Sequence, residues 1–489
     1  MFVVMVSPEC APAAKVGGLA DVVHGLSKEL SIRGHTVEIV LPKYDCLRYD
    51  RISGLTRSHS DLWVPHYNQW VHCDVYFGFV DGLKCFFIEP HSPHNFFNRG
   101  AIYGHADDGE RFAFFSRAAM EFLLKANKRP EILHCHDWQT ALVPVLLYEM
   151  YQPLGMSRTR VCITLHNLGH QGIHGEQILR LVGLNPAGLM TRDRLLDDQR
   201  PGAVNLMKGG IVYSNFVTTV SPRYAHEIRQ TQLGMGLQRI LAVHHQKLGG
   251  ILNGLDYGVW NPEIDPHIAR RYTAATLLDK YANKEALRAR LWLRHAYSPL
   301  IAFVGRLDHQ KGVELIFHAI PYCLERGCQF VLLGSSPDGQ IGAAFWSLKR
   351  RFNDHPDCHL EIGYDEELAH LIYAGADLIL APSQYEPCGL TQLIGLKYGT
   401  VPVVRNTGGL ADTVFDADYS DRPYHERTGY VFNDPNWQGL ESALRRAIGL
   451  WQHYPQYFRE LMVNGIRRDY SWNWPGQNYL NIYNHIKAP

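Results

Sequence analysis

The feature that most constrains the fold is an alternation of short apolar runs with amphipathic segments, which starts at the second residue. Residues 2–7 are a short apolar run that predicts a buried strand, and a turn with two glycines follows it. Residues 19–30 place apolar side chains three and four positions apart, which predicts a helix with one buried face. Residues 36–41 then predict the next strand. Alternation of this kind predicts a parallel sheet with helices on both faces.

The alternation continues through the first half of the chain and begins again in the second half. Strands are predicted at 131–135 and 160–165, with a helix at 139–150 between them. After residue 256 the pattern predicts strands at 300–305, 329–333, 377–382 and 400–404, and a helix at 313–326. Because 489 residues also exceed one ordinary domain, we expect two doubly wound units.

The boundary between the two units is expected near residue 250. We assign residues 1–250 to an N-terminal Rossmann-like domain and residues 251–470 to a C-terminal one. Residues 471–489 are expected to form a helix that crosses back to the first domain. Ligands of such sheets bind beyond the carboxyl ends of the strands, so two units of this kind predict a central cleft that these ends face.

Charge and cysteine usage exclude several classes of partner. Basic and acidic residues are equal at 48 each, so no net field favours nucleic acid or an anionic membrane. No apolar run approaches the roughly 20 residues that span a bilayer. The ten cysteines include no C-x-x-C pair and no zinc spacing, which favours reduced thiols. We therefore expect a cytoplasmic protein with no nucleic-acid or membrane partner.

Two strand-to-helix turns carry cations where an anion is expected to bind. In the first turn Lys15 precedes Gly17 and Gly18, where a ligand can approach the backbone closely and the helix start offers amide hydrogens to a phosphate. In the corresponding turn of the second half, Arg306 and Lys311 suit a pyrophosphate. Tight packing of the first turn and solvated loop cations in the second are the alternatives. The first turn matches neither a dinucleotide fingerprint nor a P-loop.

The segment 386–391 is the sharpest candidate site. The amides of Gly389, Leu390 and Thr391 begin a helix and point at an expected phosphate. Glu386 is held just before them and can stabilise positive charge on a sugar or bind its hydroxyl groups. The alternative is a carboxylate that only caps the helix.

Two patterns suggest metal binding but do not support it. The segments 134–137 and 166–167 place histidines at strand ends, yet there is no H-E-x-x-H motif, and buried or hydrogen-bonded histidines are the commoner explanation. Asp416-Ala417-Asp418 matches the D-x-D pattern of metal-dependent glycosyltransferases but is expected to lie in an exposed acidic stretch. We therefore predict no metal and no cofactor.

Taken together, these segments resemble those of the bacterial glycogen synthases and plant starch synthases. The segments that carry the resemblance are 15–23, 134–139, 164–168, 253–256, 305–307, 386–392 and 406–410. Further segments, Gly109-Glu110-Arg111-Phe112 and Tyr364-Asp365-Glu366, are more similar to the starch synthase III/IV branch and its cyanobacterial relatives.

The resemblance implies a GT-B fold, in which two Rossmann-like domains face a central cleft. It implies a retaining enzyme that transfers glucose from ADP-glucose to the non-reducing end of an α-1,4-glucan. The favoured picture in this family is a front-face displacement, in which the leaving phosphate helps to deprotonate the 4-hydroxyl of the acceptor.

The resemblance also implies the roles of individual residues. The donor-binding residues would be Lys15, Gly17, Gly18, Asp21, Asn253, Arg306, Lys311, Tyr364 (stacked on adenine), Cys388, Gly389, Leu390 and Thr391. The sugar and acceptor residues would be Tyr103, Asp137, His166 and Asn167, and the catalytic residues Glu386, Lys311, Arg306, His166 and Asp137. The chain departs from the family at His170, and the segment 98–103 aligns loosely.

Two alternatives to this function stay open. One is a GT-B transferase that uses UDP-glucose or another acceptor, as sucrose-forming and lipid-glycosylating relatives do. The other is a non-catalytic protein that binds or primes glucan, although such a protein has no use for a pyrophosphate clamp. A glucan phosphorylase is disfavoured because no segment resembles its pyridoxal-phosphate lysine site.

Overall fold

The computed structural model describes residues 1–352 and 354–488, and the chain divides into two compact units. The first unit contains Met1–Gly254 and the segment that begins at Trp472, and the second contains Leu255–Ser471. Each unit has one large sheet and its own apolar core. The chain therefore leaves the first unit after Gly254 and returns to it at Trp472.

The described strands differ in length between the two units. In chain order they are β1 (Phe2–Val6), β2 (Thr36–Pro42), β3 (Ile52–His66), β4 (Gln69–Val80), β5 (Leu83–Pro90), β6 (Ile132–His136), β7 (Arg160–Leu165), β8 (Ile173–Gly175), β9 (Ala203–Asn205), β10 (Phe216–Thr219), β11 (Leu248–Gly250), β12 (Leu300–Val304), β13 (Gln329–Gly334), β14 (Cys358–Ile362), β15 (Leu378–Ala381), β16 (Val401–Arg405) and β17 (Tyr430–Phe432). The longest, β3 and β4, are neighbours in the first unit. The strands of the second unit are all short.

The described α-helices alternate with these strands. In chain order they are α1 (Gly18–Ile32), α2 (Asp108–Lys125), α3 (Leu142–Leu146), α4 (Gln177–Leu181), α5 (Pro186–Leu189), α6 (Leu206–Tyr213), α7 (Pro222–Gln230), α8 (Gln238–Val243), α9 (Lys280–Arg290), α10 (Val313–Glu325), α11 (Gly339–Phe352), α12 (Glu366–Gly375), α13 (Thr391–Lys397), α14 (Gly408–Thr413), α15 (Trp437–His453), α16 (Pro455–Arg467) and α17 (Asn473–Ile486). Helix α17 packs on α1 within the first unit, where Arg33 Nη1 donates to Gln477 Oε1 over 2.7 Å.

The sheet of the second unit is parallel throughout, as the alternation predicts. Its six strands follow the order β14-β13-β12-β15-β16-β17, and every neighbouring pair is parallel. The nine-stranded sheet of the first unit follows the order β11-β10-β7-β6-β1-β2-β5-β4-β3. It is parallel from β11 to β5, but β4 and β3 add to it as an antiparallel ribbon. The prediction of a purely parallel sheet is therefore wrong at this edge.

Burial explains why the first segments form these elements. Val3, Val4, Met5 and Val6 of β1 are fully buried, because β2 and β6 flank the strand and its side chains lie in the apolar core of the first unit. The apolar face predicted for the first helix is confirmed. It consists of Leu19, Val22, Val23, Leu26 and Leu30.

The helix predicted over 139–150 is wrong in its continuity. The chain forms a 3₁₀ turn at Trp138–Thr140, then α3, and then a π-helical turn at Leu147–Tyr151. Pro144 has no amide hydrogen and cannot donate to the carbonyl group of Thr140, so it fits the first turn of α3, and the regular helix begins only at Leu142.

The carboxyl ends of the parallel strands position the candidate residues. In the first unit β1, β6 and β7 are adjacent, and the segments that follow them begin at Ser7, Asp137 and His166. In the second unit β12, β15 and β16 are adjacent. Among the described residues, no helix combines the length and apolar character that crossing a membrane requires.

Candidate functional site

In the first unit a buried carboxylate organises the turn after β1. Glu9 is almost fully buried, and its Oε2 accepts hydrogen bonds from the amides of Val16 at 2.5 Å and Gly17 at 3.1 Å. Its Oε1 accepts the Tyr103 hydroxyl at 2.6 Å. Burial raises the pKa of Glu9 above its ordinary value. Sequence analysis missed Glu9, although a carboxylate that directly follows a parallel strand could have indicated it.

The bonds from Glu9 hold the turn that carries the predicted donor-binding residues. Lys15 Nζ lies 2.7 Å from Asp21 Oδ1, and Asp21 lies in the first turn of α1. A Cβ added to Gly17 would meet nothing within 4 Å, so the space before this residue is open. Gly18 begins α1, whose first amide hydrogens have no intrahelical partner. This turn therefore presents a lysine and amides together, as a phosphate site requires.

Asp137 directly follows β6 and lies in a strained conformation. Its φ is 56° and its ψ is −172°, a region that non-glycine residues rarely adopt. Its Oδ1 accepts the amide of His166 at 2.6 Å, which ties the ends of β6 and β7 together. Burial raises the pKa of the Asp137 carboxyl to about 7. Strain and a displaced pKa at one strand end are typical of functional residues.

Three histidines near Asp137 form a neutral chain within the first unit. His166 Nε2 lies 3.1 Å from His136 Nδ1. His134 contacts the Tyr483 hydroxyl at 2.7 Å and the Thr164 hydroxyl at 2.7 Å. Burial lowers the pKa of His134 and of His166 to about 3. Both nitrogens of His134 are thus engaged by protein groups, which supports a buried structural role for it.

The raised pKa of Asp137 predicts a pH-dependent stability. The folded pKa of about 7 lies above the ordinary value of 3.8, so the folded state binds the extra proton between these values. Its stabilising contribution is therefore present below about pH 4 and is lost as the pH rises through 7. We expect the free energy of unfolding to fall over this interval more steeply in the parent protein than in Asp137→Asn. Denaturant melts at pH 5 and 8 give the free energy of unfolding of both proteins. An equal fall between the two pH values in the parent and in Asp137→Asn would contradict the raised pKa of Asp137.

In the second unit Lys311 and Glu386 form a buried ion pair. Lys311 Nζ lies 2.5 Å from Glu386 Oε2, which also accepts the Ser383 hydroxyl at 2.9 Å. The exposed fractions of the two side chains are 19% and 8%. The structure thus brings together two residues that sequence analysis predicted separately, 75 positions apart. Ser383 was not predicted.

Glycines and an arginine fix the backbone on either side of this ion pair. Gly312 has a φ of 74°, and a Cβ there would lie 2.2 Å from the Pro382 carbonyl oxygen. Gly408 has a φ of 44°, and a Cβ there would lie 2.0 Å from the Glu386 carbonyl oxygen. Arg405, which was also missed, donates from Nε to the Ser383 carbonyl at 2.7 Å. These close approaches hold the loop after β15 against its neighbours.

Arg306 lies in the same turn as Lys311 but is more exposed. Its Nη1 lies 3.1 Å from Asp308 Oδ2, and about half of its side chain is exposed. The other carboxylate oxygen of Asp308 accepts the amide of Lys311 at 3.0 Å, so Asp308 orders the turn. Both cations of the turn are thus oriented by carboxylates.

The predicted phosphate-binding amides lie at the start of α13. Gly389 and Leu390 precede the helix, and Thr391 is its first residue. The first amides of a helix lack intrahelical partners, so this segment can receive an anion. Thr391 Oγ1 donates to the Val304 carbonyl of β12 at 3.3 Å, and Cys388 is buried. The Cys388 thiol therefore belongs to the support of the loop.

The remaining predicted residues lie in different surroundings. Tyr364 follows β14, and 79% of it is exposed, so its ring face is open to a ligand. Asn253 is buried at the end of the first unit. Asn167 Oδ1 accepts the amide of Gly169 at 2.9 Å, and His170 is exposed. The Tyr103 hydroxyl, which was predicted to contact sugar, donates a hydrogen bond to Glu9.

One expectation about the D-x-D segment is wrong. Asp416 is buried rather than exposed, and its Oδ1 lies 2.8 Å from Arg446 Nη1. Asp418 Oδ2 also pairs with Arg446, at 2.9 Å. Both carboxylates are therefore neutralised by an arginine 28 to 30 residues away. The residues next to the motif in the sequence do not reveal this contact.

Two family models match the chain, one in each unit. Residues 2–243 match the starch synthase catalytic domain, and residues 293–460 match the glycosyl transferases group 1. The chain is 67% identical to glycogen synthase 1 of Nitrosococcus oceani over 487 residues, which covers 100% of both proteins. It is 58% identical to glycogen synthase 1 of a Synechococcus strain, again over 100% of both. The chain belongs to the glycogen and starch synthase family.

A solved structure confirms the fold and the branch of this family. The catalytic domain of starch synthase IV from Arabidopsis thaliana, bound to ADP and acarbose, matches with a TM-score of 0.97 and 44% identity. The match covers 99% of each chain. The predicted GT-B fold and the predicted family are therefore confirmed. The protein is a glucosyltransferase of the glycogen and starch synthase family. The enzymes of this family use a nucleotide sugar as the donor and a glucan as the acceptor.

Proposed function

We propose that this synthase transfers glucose from ADP-glucose to the non-reducing end of an α-1,4-glucan and retains the anomeric configuration. The observation that carries the proposal is the buried ion pair between Lys311 and Glu386, which lies in the same unit as the amides before α13. A cation and amides together suit a leaving pyrophosphate. The starch synthase IV domain that shares the fold was solved with ADP.

The second unit holds the donor in this proposal. Arg306 and Lys311 bind the pyrophosphate, and the amides of Gly389, Leu390 and Thr391 bind its distal phosphate. Glu386 accepts hydrogen bonds from the transferred glucose and stabilises positive charge at C1. Because Lys311 already contacts Glu386, a bound phosphate shares this lysine with the carboxylate. The boundaries 1–250, 251–470 and 471–489 then correspond to an acceptor-side domain, a donor-side domain and the helix that completes the first.

The reaction needs no side chain as a covalent nucleophile. The bond between C1 of glucose and the phosphate oxygen breaks, and the 4-hydroxyl oxygen of the acceptor bonds to C1 on the same face. The hydroxyl proton passes to the leaving phosphate, and the products are ADP and a glucan longer by one glucose. Stabilising the phosphate charge and aligning the two substrates supply the catalysis.

The first unit supplies the sugar and acceptor contacts. Neutral His166 offers a hydrogen bond to a sugar hydroxyl, and Asp137 and Asn167 orient the same strand ends. Lys15, Asp21, the amide of Gly18 and the open backbone at Gly17 contact the phosphates and sugar of the donor. Glu9 keeps this turn in place through the two amides that it binds.

The exposed ring of Tyr364 is expected to stack on the base of the donor. Stacking of a base on an aromatic ring contributes about 1–3 kcal/mol, so Tyr364→Ala should raise the KM for ADP-glucose roughly tenfold and change kcat little. Tyr364→Phe keeps the ring and should behave as the parent protein. Tyr454→Ala, which removes another exposed tyrosine of the same unit, is the matched control. Unchanged KM in Tyr364→Ala would exclude stacking here.

We also propose that the enzyme works in the cytoplasm. None of the cysteines, all of which lie in the described part of the chain, forms a disulfide, and nine of the ten are buried. Burial raises the pKa of Cys162 to about 12, so this thiol is unreactive. Many unpaired thiols favour a reducing compartment.

Analysis of the product tests the proposed reaction. The enzyme is incubated with ADP-glucose labelled at C1 and with maltotriose, and the product is examined by NMR. We expect a labelled α-1,4-linked residue at the non-reducing end. A β-linkage would contradict retention, and a labelled residue at the reducing end would contradict the assigned acceptor position.

A further inference from the structure

The antiparallel ribbon at the edge of the first sheet brings together three metal-binding side chains. His72 and Asp74 lie two residues apart on β4, so they face the same side of the strand. Cys73 pairs with Pro90 at the end of β5, and the amide of His91 donates to the His72 carbonyl at 2.9 Å. The register therefore places His91 beside His72 and Asp74.

The contacts within this cluster suit a cation. His91 Nε2 lies 3.0 Å from Asp74 Oδ2, and one ligand atom from each of the three residues lies within 4.8 Å of the others. Asp74 is almost fully buried, and its Oδ1 has no hydrogen-bond partner within the described part of the chain. An unpaired buried carboxylate oxygen is costly, and a bound cation would satisfy it.

The second nitrogen of His72 already has a partner. Its Nε2 lies 2.7 Å from the Ser60 carbonyl of β3, and a carbonyl can only accept, so this nitrogen carries the proton. Nδ1 of the neutral ring then has a free lone pair. Metal-binding histidines typically donate their other ring N–H to a carbonyl or carboxylate in this manner.

We propose that His72, Asp74 and His91 bind one divalent transition-metal ion of the zinc class. Two imidazoles and a carboxylate are a ligand set that Zn²⁺ uses, with a fourth position for water. The ion lies between His91 Nε2 and the Asp74 carboxylate, in place of the proton that they share. Ligand atoms on a tetrahedral ion lie about 3.4 Å apart, so the cluster contracts by about 1.4 Å at most. Rotation of the half-exposed His91 ring allows this contraction.

Arg57 of β3 competes with the ion for Asp74. Its Nη1 lies 3.4 Å from Asp74 Oδ2, and more than half of its side chain is exposed. The guanidinium can therefore turn into solvent when the ion binds. Because it repels a cation, replacing Arg57 with glutamine should strengthen metal binding.

The site is separate from the proposed chemistry. Asp137 and His166 follow the parallel strands β6 and β7, whereas His72 and Asp74 lie on β4 of the antiparallel ribbon and His91 directly follows β5. The ion would join the end of β5 to β4 and stabilise this edge of the sheet. The glucosyltransferase activity of His91→Ala is therefore expected to equal that of the parent enzyme.

Zinc binding by ligand variants tests the proposal. The full-length protein is freed of metal with a chelator, and Zn²⁺ binding is measured by calorimetry for the parent, His72→Ala and His91→Ala. His245→Ala removes an exposed histidine elsewhere in the first unit and is the matched control. We expect one bound equivalent in the parent and control, with affinity at least about tenfold weaker in both ligand variants. Circular dichroism confirms that the exposed His91 variant folds.

The Arg57→Gln variant distinguishes this site from general binding by surface histidines. We expect it to bind Zn²⁺ more tightly than the parent, and we expect the midpoint of thermal unfolding to rise with Zn²⁺ in the parent but not in His91→Ala. Equal stoichiometry and affinity in the parent and both histidine variants would overturn the proposal. So would an Arg57→Gln variant that binds no tighter than the parent.

Discussion

Replacing Glu386 with glutamine is expected to lower kcat roughly 10²–10³-fold, while the protein stays folded. The substitution keeps the size of the side chain and its contact with the Ser383 hydroxyl but removes the charge. That charge is positioned, by Lys311 and by the backbone contacts of Gly408, before the donor arrives. Loss of one preorganised group that stabilises a transition state has an effect of this size.

The control for Glu386→Gln is a carboxylate of the same unit with no proposed role. Glu426 pairs with Arg422 at 2.7 Å on the surface. Glu426→Gln should keep activity within about twofold, because exposed ion pairs contribute little to the stability of the fold and Glu426 has no proposed contact with a substrate. Steady-state kinetics with ADP-glucose and glycogen give kcat for both variants. Near-parental kcat in Glu386→Gln would remove Glu386 from the mechanism.

Replacing Lys311 with alanine is expected to affect both turnover and stability. Without the lysine, the leaving phosphate loses a cation, and kcat should fall roughly 10²–10³-fold. Glu386 would also keep a buried charge that has lost its cation and retains the hydrogen bond from the Ser383 hydroxyl. Breaking a buried ion pair costs about 3–5 kcal/mol, so the midpoint of thermal unfolding should fall as well.

A double variant separates the two effects of Lys311. Lys311→Ala with Glu386→Gln removes the unpaired charge, so stability should largely return while kcat stays low. Lys349→Ala is the matched control, because Lys349 forms a longer contact of 3.4 Å with Glu361 nearer the surface. Thermal melts and kcat are measured on the parent, Lys311→Ala, the double variant and Lys349→Ala. A double variant that is no more stable than Lys311→Ala would refute the role of the ion pair.

Sequence periodicity predicted those elements whose burial is decided locally. The first helix and its buried face follow from apolar residues three and four apart, and β12, β13, β15 and β16 follow from short apolar runs between turns, whereas β14 was not predicted. The ribbon of β3 and β4 was not predicted, because the side chains of β3 are largely exposed and the pairing of the two strands is irregular. The segment 139–150 is helical but changes type, because Pro144 confines the α-helix to a start at Leu142 and the chain continues from Leu147 as a π-helical turn.

Sequence motifs identified the residues that a ligand would contact. They identified fewer of the residues that hold those contact residues in place. Lys311 and Glu386 were singled out, and the structure joins them. Glu9 and Arg405 were missed because they act on backbone groups of other segments, and such contacts leave no local pattern. For the same reason the burial of Asp416 against Arg446 could not be foreseen.

The most direct test of the account is transfer of labelled glucose onto glycogen, with ADP-glucose and UDP-glucose compared side by side. We predict strong incorporation from ADP-glucose, little from UDP-glucose, and the loss of both in Glu386→Gln. Preference for UDP-glucose would leave the fold and the family intact but contradict the proposed donor. No incorporation from either donor would contradict the proposed catalysis itself and favour a protein that only binds glucan.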